Sequence, residues 1–454
     1  MGRSVLRRRG GGRDLTTGPV GHQMIRLAAP MAVGMLAMMM FNLVDTWFVS
    51  RLGTAPLAAI SLTFPVITVV GSLALGVGVG ATSLISRALG AGRQQDVRRL
   101  TTDALLLGLM LVILVSAVGL ATIDPLFRAM GADEVTLPLV RQYMSIWYFG
   151  AVFVVIPMIG NSAIRATGDT KTPALIMIFA SLVNVGVDPV LIFGLGPIPA
   201  LGMRGAAIAT VIGRASTMVA SLWVLGPGRG MIERRFHGLR STAQAWGRIL
   251  LIGLPAAIGY LAQPLTVGLL TAMVAEHGRA AVAAFGAGGR VEMMALIPFR
   301  ALGSGLMPFM GQNWGAIRTE RIRGALRRGF LAVLVLGLFD YGILFVLARP
   351  IASLFSSDPA VLSTMVRYLW IMPAAHWALG LAAITNSTFN AVGRPFAAAS
   401  VILLRAPVLT VPFALLGGSF FGVTGIFLGS VAASVTMAAF AWWWLASLRT
   451  THQG

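Results

Sequence analysis

Residues 30–37 read PMAVGMLA, and residues 255–262 read PAAIGYLA, an echo at a shift of 225 positions with no gap. The same shift sets Gly90, Ala91, Arg93 and Arg98 on Gly315, Ala316, Arg318 and Arg323. It also pairs Asn161, Ser162, Ala166 and Gly168 with Asn386, Ser387, Ala391 and Gly393. Over about 145 ungapped positions roughly a fifth are identical, against roughly one in twelve expected from so biased a composition. The chain therefore reads as two copies of one unit.

What fills each copy follows from composition. Of 454 residues 57% are hydrophobic and only 11% charged, where a soluble domain carries roughly a quarter charged. Apolar runs fall at 24–50, 58–86, 101–122, 139–163, 173–195, 204–226, 246–274, 280–312, 327–348, 365–388, 396–418 and 422–446. Each reaches the roughly 20 residues that cross a hydrocarbon core as a helix. The fold expected is an all-α polytopic membrane protein of twelve transmembrane helices in two pseudo-symmetric six-helix lobes. Six spans per lobe is an even number, so both lobes start on the same side and a pseudo-two-fold along the membrane normal relates them. The boundaries expected are a basic cytosolic tail at 1–23, an N-lobe at 24–226, a cytosolic linker at 227–245 and a C-lobe at 246–447.

A formal charge of +20 could suggest a nucleic-acid binder, but the arginines sit in short clusters between apolar runs. About two-thirds of Lys and Arg fall in the tail, in alternate loops (Arg87 to Arg99, Arg165 to Lys171, Arg229 to Arg248, Arg318 to Arg328) and at Arg394 and Arg449, which by the positive-inside rule sets both termini in the cytoplasm of a plasma (inner) membrane protein. No nucleic-acid partner is expected; the bilayer and small molecules are. There is no Cys, which excludes disulfides and thiolate metal sites. No G-x-x-x-x-G-K-[ST] loop, H-E-x-x-H or G-x-S-x-G occurs, so nucleotide-driven pumping and the common hydrolases have no sequence support. Two bundles around a cleft suit alternating access driven by an ion gradient, with no enzyme activity and no cofactor.

Acids inside spans mark ion pathways by default. The 225-residue shift sets Asp45 on Leu270 and Asp188 on Phe413, so two duplicated positions are ionisable in one copy and apolar in the other. Asn184 and Asp188 are four apart on one helix face, and Pro189 cannot donate to the Val185 carbonyl, which frees an oxygen beside the acid. Carboxylate, amide and carbonyl oxygens suit a small cation or a proton. A solvated helix end is the alternative for Asp45, and interhelical glue for Asn184. Glu292 lies near Arg290 and Arg300, where mutual neutralisation competes with cargo contact; Asp340, Arg214 and Arg405 read as members of pairs. Met38, in a run of methionines, is a candidate cargo contact, although Met more often fills packing gaps. Gly76, Gly78 and Gly80 read as close-packing positions.

The ordered set NLVDTWFVSRLG (Asn42 to Gly53), LGAGRQQDVRR (Leu89 to Arg99), NSAIRATGDTKTP (Asn161 to Pro173), NVGVDP (Asn184 to Pro189) and NWGAIRTERIRG (Asn313 to Gly324) resembles the MATE (multidrug and toxic compound extrusion) family. That resemblance implies efflux of diverse, often cationic, small organic molecules in exchange for protons or sodium, by a protein working as a monomer. NorM-like members carry a glutamate eight residues after an L-P pair in the seventh span; here Leu254-Pro255 is followed by Gln263, a candidate cargo contact instead. Asp45 and Asp188 match the DinF-like branch, and Thr210 is carried over from the family as a fourth oxygen. The expected coupling site is Asp45, Asn184, Asp188 and Thr210. A proton is favoured, since low dielectric favours a neutral acid; Na⁺ at Asp45, Asn184 and Asp188 is the other reading. A flippase for lipid-linked oligosaccharide or peptidoglycan precursors is the alternative function, disfavoured because the intramembrane arginines are few and scattered.

Overall fold

A computed structural model describes residues 13–447 except 196, 198, 234, 236 and 237. The basic clusters of residues 1–12, Arg234 in the linker and Arg449 lie outside the described residues. Nine described helices are long and apolar enough to span a bilayer. Two bent pairs, Thr136–Gly150 with Val152–Ala166 (44°) and Arg279–Ala295 with Ile297–Gly315 (42°), add two more. One of the nine, Pro395–Leu445, runs 51 residues, which at 1.5 Å per residue is about 75 Å and more than twice a roughly 30 Å core. Gly422 (φ 57°, ψ −140°) breaks it, completing the twelve spans expected.

In order the spans are Val20–Ser50, Thr54–Gly90, Gln94–Ala129, the first bent pair, Lys171–Phe193, Gly202–Trp223, Leu239–Ala275, the second bent pair, Thr319–Val346, Pro359–Ile371 continued by His376–Ala391, and the two segments either side of Gly422. Helices outrun their apolar windows where arginines cluster: 58–86 becomes Thr54–Gly90 and 101–122 becomes Gln94–Ala129. A helix end in the headgroup region needs no apolar side chains, so hydropathy marks only the middle of each span.

The repeat holds at the level of backbone geometry. Gly53 (φ 114°) and Gly278 (φ 99°) open spans two and eight, and Gly168 (φ 81°) and Gly393 (φ 83°) close spans four and ten. The loops after spans two and eight share their closing hydrogen bond: Arg93 N–H donates to Ala88 (2.9 Å) as Arg318 N–H donates to Asn313 (2.8 Å). One position breaks the chemistry while keeping the shape. Gly92 has φ 75°, and its counterpart Ile317 has φ 57°, the one non-glycine at positive φ among the described residues.

Packing groups Val33–Ala257 into one compact unit and Leu15–Ala32 with Ile258 onward into the other. The boundary falls inside the first span, just past Pro30. In the second unit the backbone of Leu27 lies where a side chain on Gly305 would sit, 3.1 Å from a built Cβ. Leu15 is buried there, its N–H donating to Gln312 Oε1 (3.1 Å) and its carbonyl accepting from Asn313 Nδ2 (3.0 Å). In the first unit Gly76 and Gly80 lie against Gly253 and Ile249, and Gly78 lies against Ser162, so this glycine stripe sets helix separation as expected. The linker also docks on the first unit: Arg229 is buried and donates to Asp169 and to Thr167 Oγ1 (2.9 Å).

Asp169 generates a pH dependence. Burial alone would push its carboxyl up, but donors from Thr172 and Arg229 outweigh burial and hold it below the usual carboxylate range. A depressed carboxyl contributes stability above its unfolded value and loses it as pH falls through the folded one. Thermal stability of the detergent-solubilised protein should therefore drop progressively as pH falls below the ordinary carboxylate range of about 4, and Asp169→Asn should begin lower and lose that step. At Ile317, a β-branched residue in the left-handed region costs about 1–2 kcal/mol, so Ile317→Gly should raise the melting temperature and Gly92→Ile should lower it.

Candidate functional site

The first unit holds a cavity offering about 220 Å³ to the centres of water-sized molecules. Its wall includes Met38 and Phe41 from the first span, Arg165 from the fourth, Asn184 from the fifth, and Thr210, Gly213 and Arg214 from the sixth. Of the expected coupling residues, Asn184 and Thr210 thus reach the cavity, while Asp188 stands one turn beyond Asn184 on the same helix. The helix runs on through Pro189.

Two glycines let the fifth and sixth spans close on each other at this point. A Cβ on Gly205 would meet the Leu191 carbonyl at 2.2 Å, and one on Gly213 would meet the Asn184 Cβ at 3.1 Å. Small residues at helix contacts permit such close approach. The consequence is deep burial of polar groups: Asp188 is 0% and Asn184 1% exposed.

These groups are buried without satisfaction. Both Asp188 carboxylate oxygens, both Asn184 amide atoms, Asp45 Oδ1 and Thr210 Oγ1 have no hydrogen-bond partner. Buried polar atoms in folded proteins are otherwise nearly all paired, and each orphan costs about 1–3 kcal/mol. Asp45 is half-buried rather than a solvated helix end. It lies close enough to Asp188 for like-charge repulsion to act between them. Arg214 offsets that charge from a distance: its guanidinium sits 5.2 Å from the Phe41 ring centroid, one turn before Asp45, and attracts Asp45 without forming an ion pair. Asp45 is therefore the partner of Arg214 that the sequence left unnamed.

Sequence reasoning missed Tyr143. It is buried in the fourth span, its hydroxyl approaching Thr210 and feeling Asp45, Asp188 and Arg214. The signal was available, because the 225-residue shift that aligns the copies exchanges Tyr143 with Tyr368.

The candidates in the second half fare differently. Gln263 is exposed on the seventh span and lines no part of the cavity. Glu292, for which neutralisation by an arginine and cargo contact were the two readings, accepts from the Tyr368 hydroxyl and faces His376 Nε2 at 4.0 Å. Arg290 is exposed, while Arg300 and Arg405 act on Glu292 from beyond ion-pair distance. Asp340 takes His376 Nδ1 at 2.5 Å. Glu292 and Asp340 thus converge on one imidazole.

A family model described as MatE matches residues 30–190 and again 255–416, once in each copy. The chain belongs to the MATE family. It is a multi-pass membrane transporter and not an enzyme. A protein of Shewanella oneidensis named "FAD transporter" is 40% identical over 423 residues, covering 93% of this chain and 94% of that one. The "Multidrug export protein MepA" of Staphylococcus aureus is 24% identical, covering 90% and 89%. Among solved structures, the Vibrio cholerae MATE transporter VcmN superposes with a TM-score of 0.90 at 30% identity, covering 95% of this chain and 97% of that chain.

The glycine seam beside Asn184 makes a steric prediction. Gly213→Val should push on Asn184 and abolish most transport. Gly186→Val, on the same span as Asn184 but with open space around its Cα, should retain it. Efflux from proteoliposomes at matched protein density measures both.

Proposed function

We propose that this MATE transporter is a secondary active exporter that exchanges small organic molecules for an inward-moving cation through alternating access. The observation that carries the reading is the set of unpartnered buried oxygens at Asp45, Asn184, Asp188 and Thr210. A protein retains orphaned acceptors in a membrane span when an ion completes them during function. A proton on Asp188 removes a charge that nothing adjacent neutralises. Sodium would draw on the same oxygens but needs about five or six of them. The arrangement fits the DinF-like branch, with the coupling acids in the N-terminal lobe.

The cavity bounds the cargo. Met38, Phe41, Met158 and Met177 offer soft apolar surface, and Arg165 and Arg214 add two cations to the same wall. Such a lining suits a planar aromatic molecule carrying negative charge better than a cationic one. The Shewanella relative is named as an FAD transporter, and a flavin nucleotide has that chemistry. We therefore favour flavin nucleotides and similar anionic aromatics as cargo, in place of the cationic compounds the family resemblance implied. The distribution of arginine supports a cytoplasmic membrane setting with both termini inside, and no cofactor enters the cycle.

Cargo-loaded proteoliposomes test the ion. An inward pH gradient should drive efflux in sodium-free buffer, and a sodium gradient at fixed pH should change the rate little. Asp188→Asn keeps shape and hydrogen-bonding capacity but cannot take up a proton, so the pH gradient should no longer bias the two states, and efflux should fall about tenfold or more. Sodium-dependent efflux that ignores the pH gradient would overturn the proton while leaving Asp188 as the ion ligand; full activity in Asp188→Asn would overturn the site.

A further inference from the structure

The second unit contains a titratable cluster that the N-lobe coupling reading does not use. It is built at two helix breaks. Span eight bends 42° at Leu296, with Glu292 and Arg300 one turn on either side. Span ten breaks at a 3-10 turn, Met372–Ala375, and resumes at His376. Under the 225-residue shift His376 occupies the position of Ala151, the residue at the bend of span four. Helix breaks at membrane depth are tolerated where the freed backbone lines a functional site.

The imidazole is fully buried, at 0% exposure, between two carboxylates that keep 17% (Asp340) and 18% (Glu292) of their side chains exposed. Nδ1 is 2.5 Å from Asp340 Oδ2. An ionised carboxylate only accepts hydrogen bonds, so the ring nitrogen facing it carries the hydrogen. Nε2 of the neutral ring is then a lone pair directed at the other carboxylate. It has no hydrogen-bond partner, and Glu292 Oε1 stands off at 4.0 Å. Two acceptors facing each other are completed by one proton.

We propose that His376 and Glu292 form a second proton-binding site, in which imidazole Nε2 takes up the proton and the Glu292 carboxylate, at ion-pair distance, balances its charge. The proton arrives on the partly exposed Glu292 and passes to Nε2; one N–H bond forms as one O–H bond breaks. Every charged or titratable group facing the ring fits this. Asp340 fixes the tautomer from span nine, Tyr368 donates to the other Glu292 oxygen from the first half of span ten, and Arg300 and Arg405 face Glu292 from spans eight and eleven, with Tyr260 beside Arg300. With the ring neutral, two acids balance two guanidiniums, and the added proton makes the cluster singly positive. The repeat adds independent support. Tyr143 lies close enough to Asp45 and Asp188 to feel their charge, and its shifted counterpart Tyr368 donates to Glu292, so each copy keeps an equivalent buried tyrosine near its acid.

This inference rests on the proton-coupled reading, and its test is independent of transport. Full-length protein labelled with ¹⁵N-histidine in nanodiscs reports ring protonation directly, with the His376 signals identified by their loss in His376→Gln. Should that variant fail to fold, replacing the other four histidines (five in all) leaves His376 as the sole labelled ring. His376 should pass from both nitrogens protonated to Nε2 unprotonated as the pH is raised. Glu292→Gln should displace that passage and Asp188→Asn should leave it in place. A ring held in one state throughout, or one whose passage is unaltered by Glu292→Gln, overturns the site. Failure of the N-lobe reading shows instead as pH-driven efflux that survives in Asp188→Asn.

Discussion

Hydrocarbon offers no partner for a peptide group or a polar side chain, and this constraint shapes the chain at every scale. It forces twelve helical segments, because only a helix satisfies its own backbone within a span. It confines irregular backbone to a few places where side chains or neighbouring helices take up the freed groups. It also makes unpartnered polar atoms costly, and they concentrate at Asp45, Asn184, Asp188 and Thr210. In the proposed exchange an arriving cation would relieve that cost, and its relief would be the interaction energy that biases one conformation over another.

The two halves reach a buried acid by different means. In the first, Asp188 sits on a helix that continues through Pro189, and it is sealed by the close approach of spans five and six across Gly205 and Gly213. In the second, Glu292 and His376 stand beside helix breaks at Leu296 and Met372–Ala375. A seam of small residues excludes water from an acid, whereas a break swings side chains from two helices toward a common point. The same duplicated scaffold therefore carries an acid pair facing a distant arginine in one half and an acid–imidazole–acid bridge in the other.

Much of this was legible in the residues. The shift of 225 gave the duplication, and φ values at Gly53 and Gly278 or Gly168 and Gly393 repeat as the sequence does. The i, i+4 spacing put Asn184 and Asp188 on one face, which is where they are. What periodicity cannot encode is contact between spans, so Arg214 with Asp45, and Asp340 with His376, were residues without partners until the helices were packed. The breaks were illegible for another reason. Pro30, Pro65 and Pro189 lie in helices that run on, whereas Pro298 follows the bend at Leu296, Gly150 precedes the one at Ala151, and Pro373 lies in the break of span ten. A Pro or Gly in a span therefore does not by itself say whether the helix breaks there, and a single sequence does not display the neighbouring helices against which it packs.

The geometry of the first unit also bears on why ion and cargo would exchange instead of travelling together. Asn184 and Thr210 belong both to the cavity wall and to the unpartnered cluster. A cation completing the cluster would turn their oxygens toward itself, and a cargo in the cavity would compete for the same atoms. A shared pair of ligands makes occupancy by one unfavourable to occupancy by the other, and by reciprocity the coupling acts equally in both directions. Antiport then needs no signal carried across the protein, since the two sites overlap at two residues. The C-terminal bridge has no such overlap, because neither Glu292 nor His376 lines the cavity. A proton there would act on the conformational equilibrium through the helix breaks at spans eight and ten, and its effect would be felt whether or not cargo is bound.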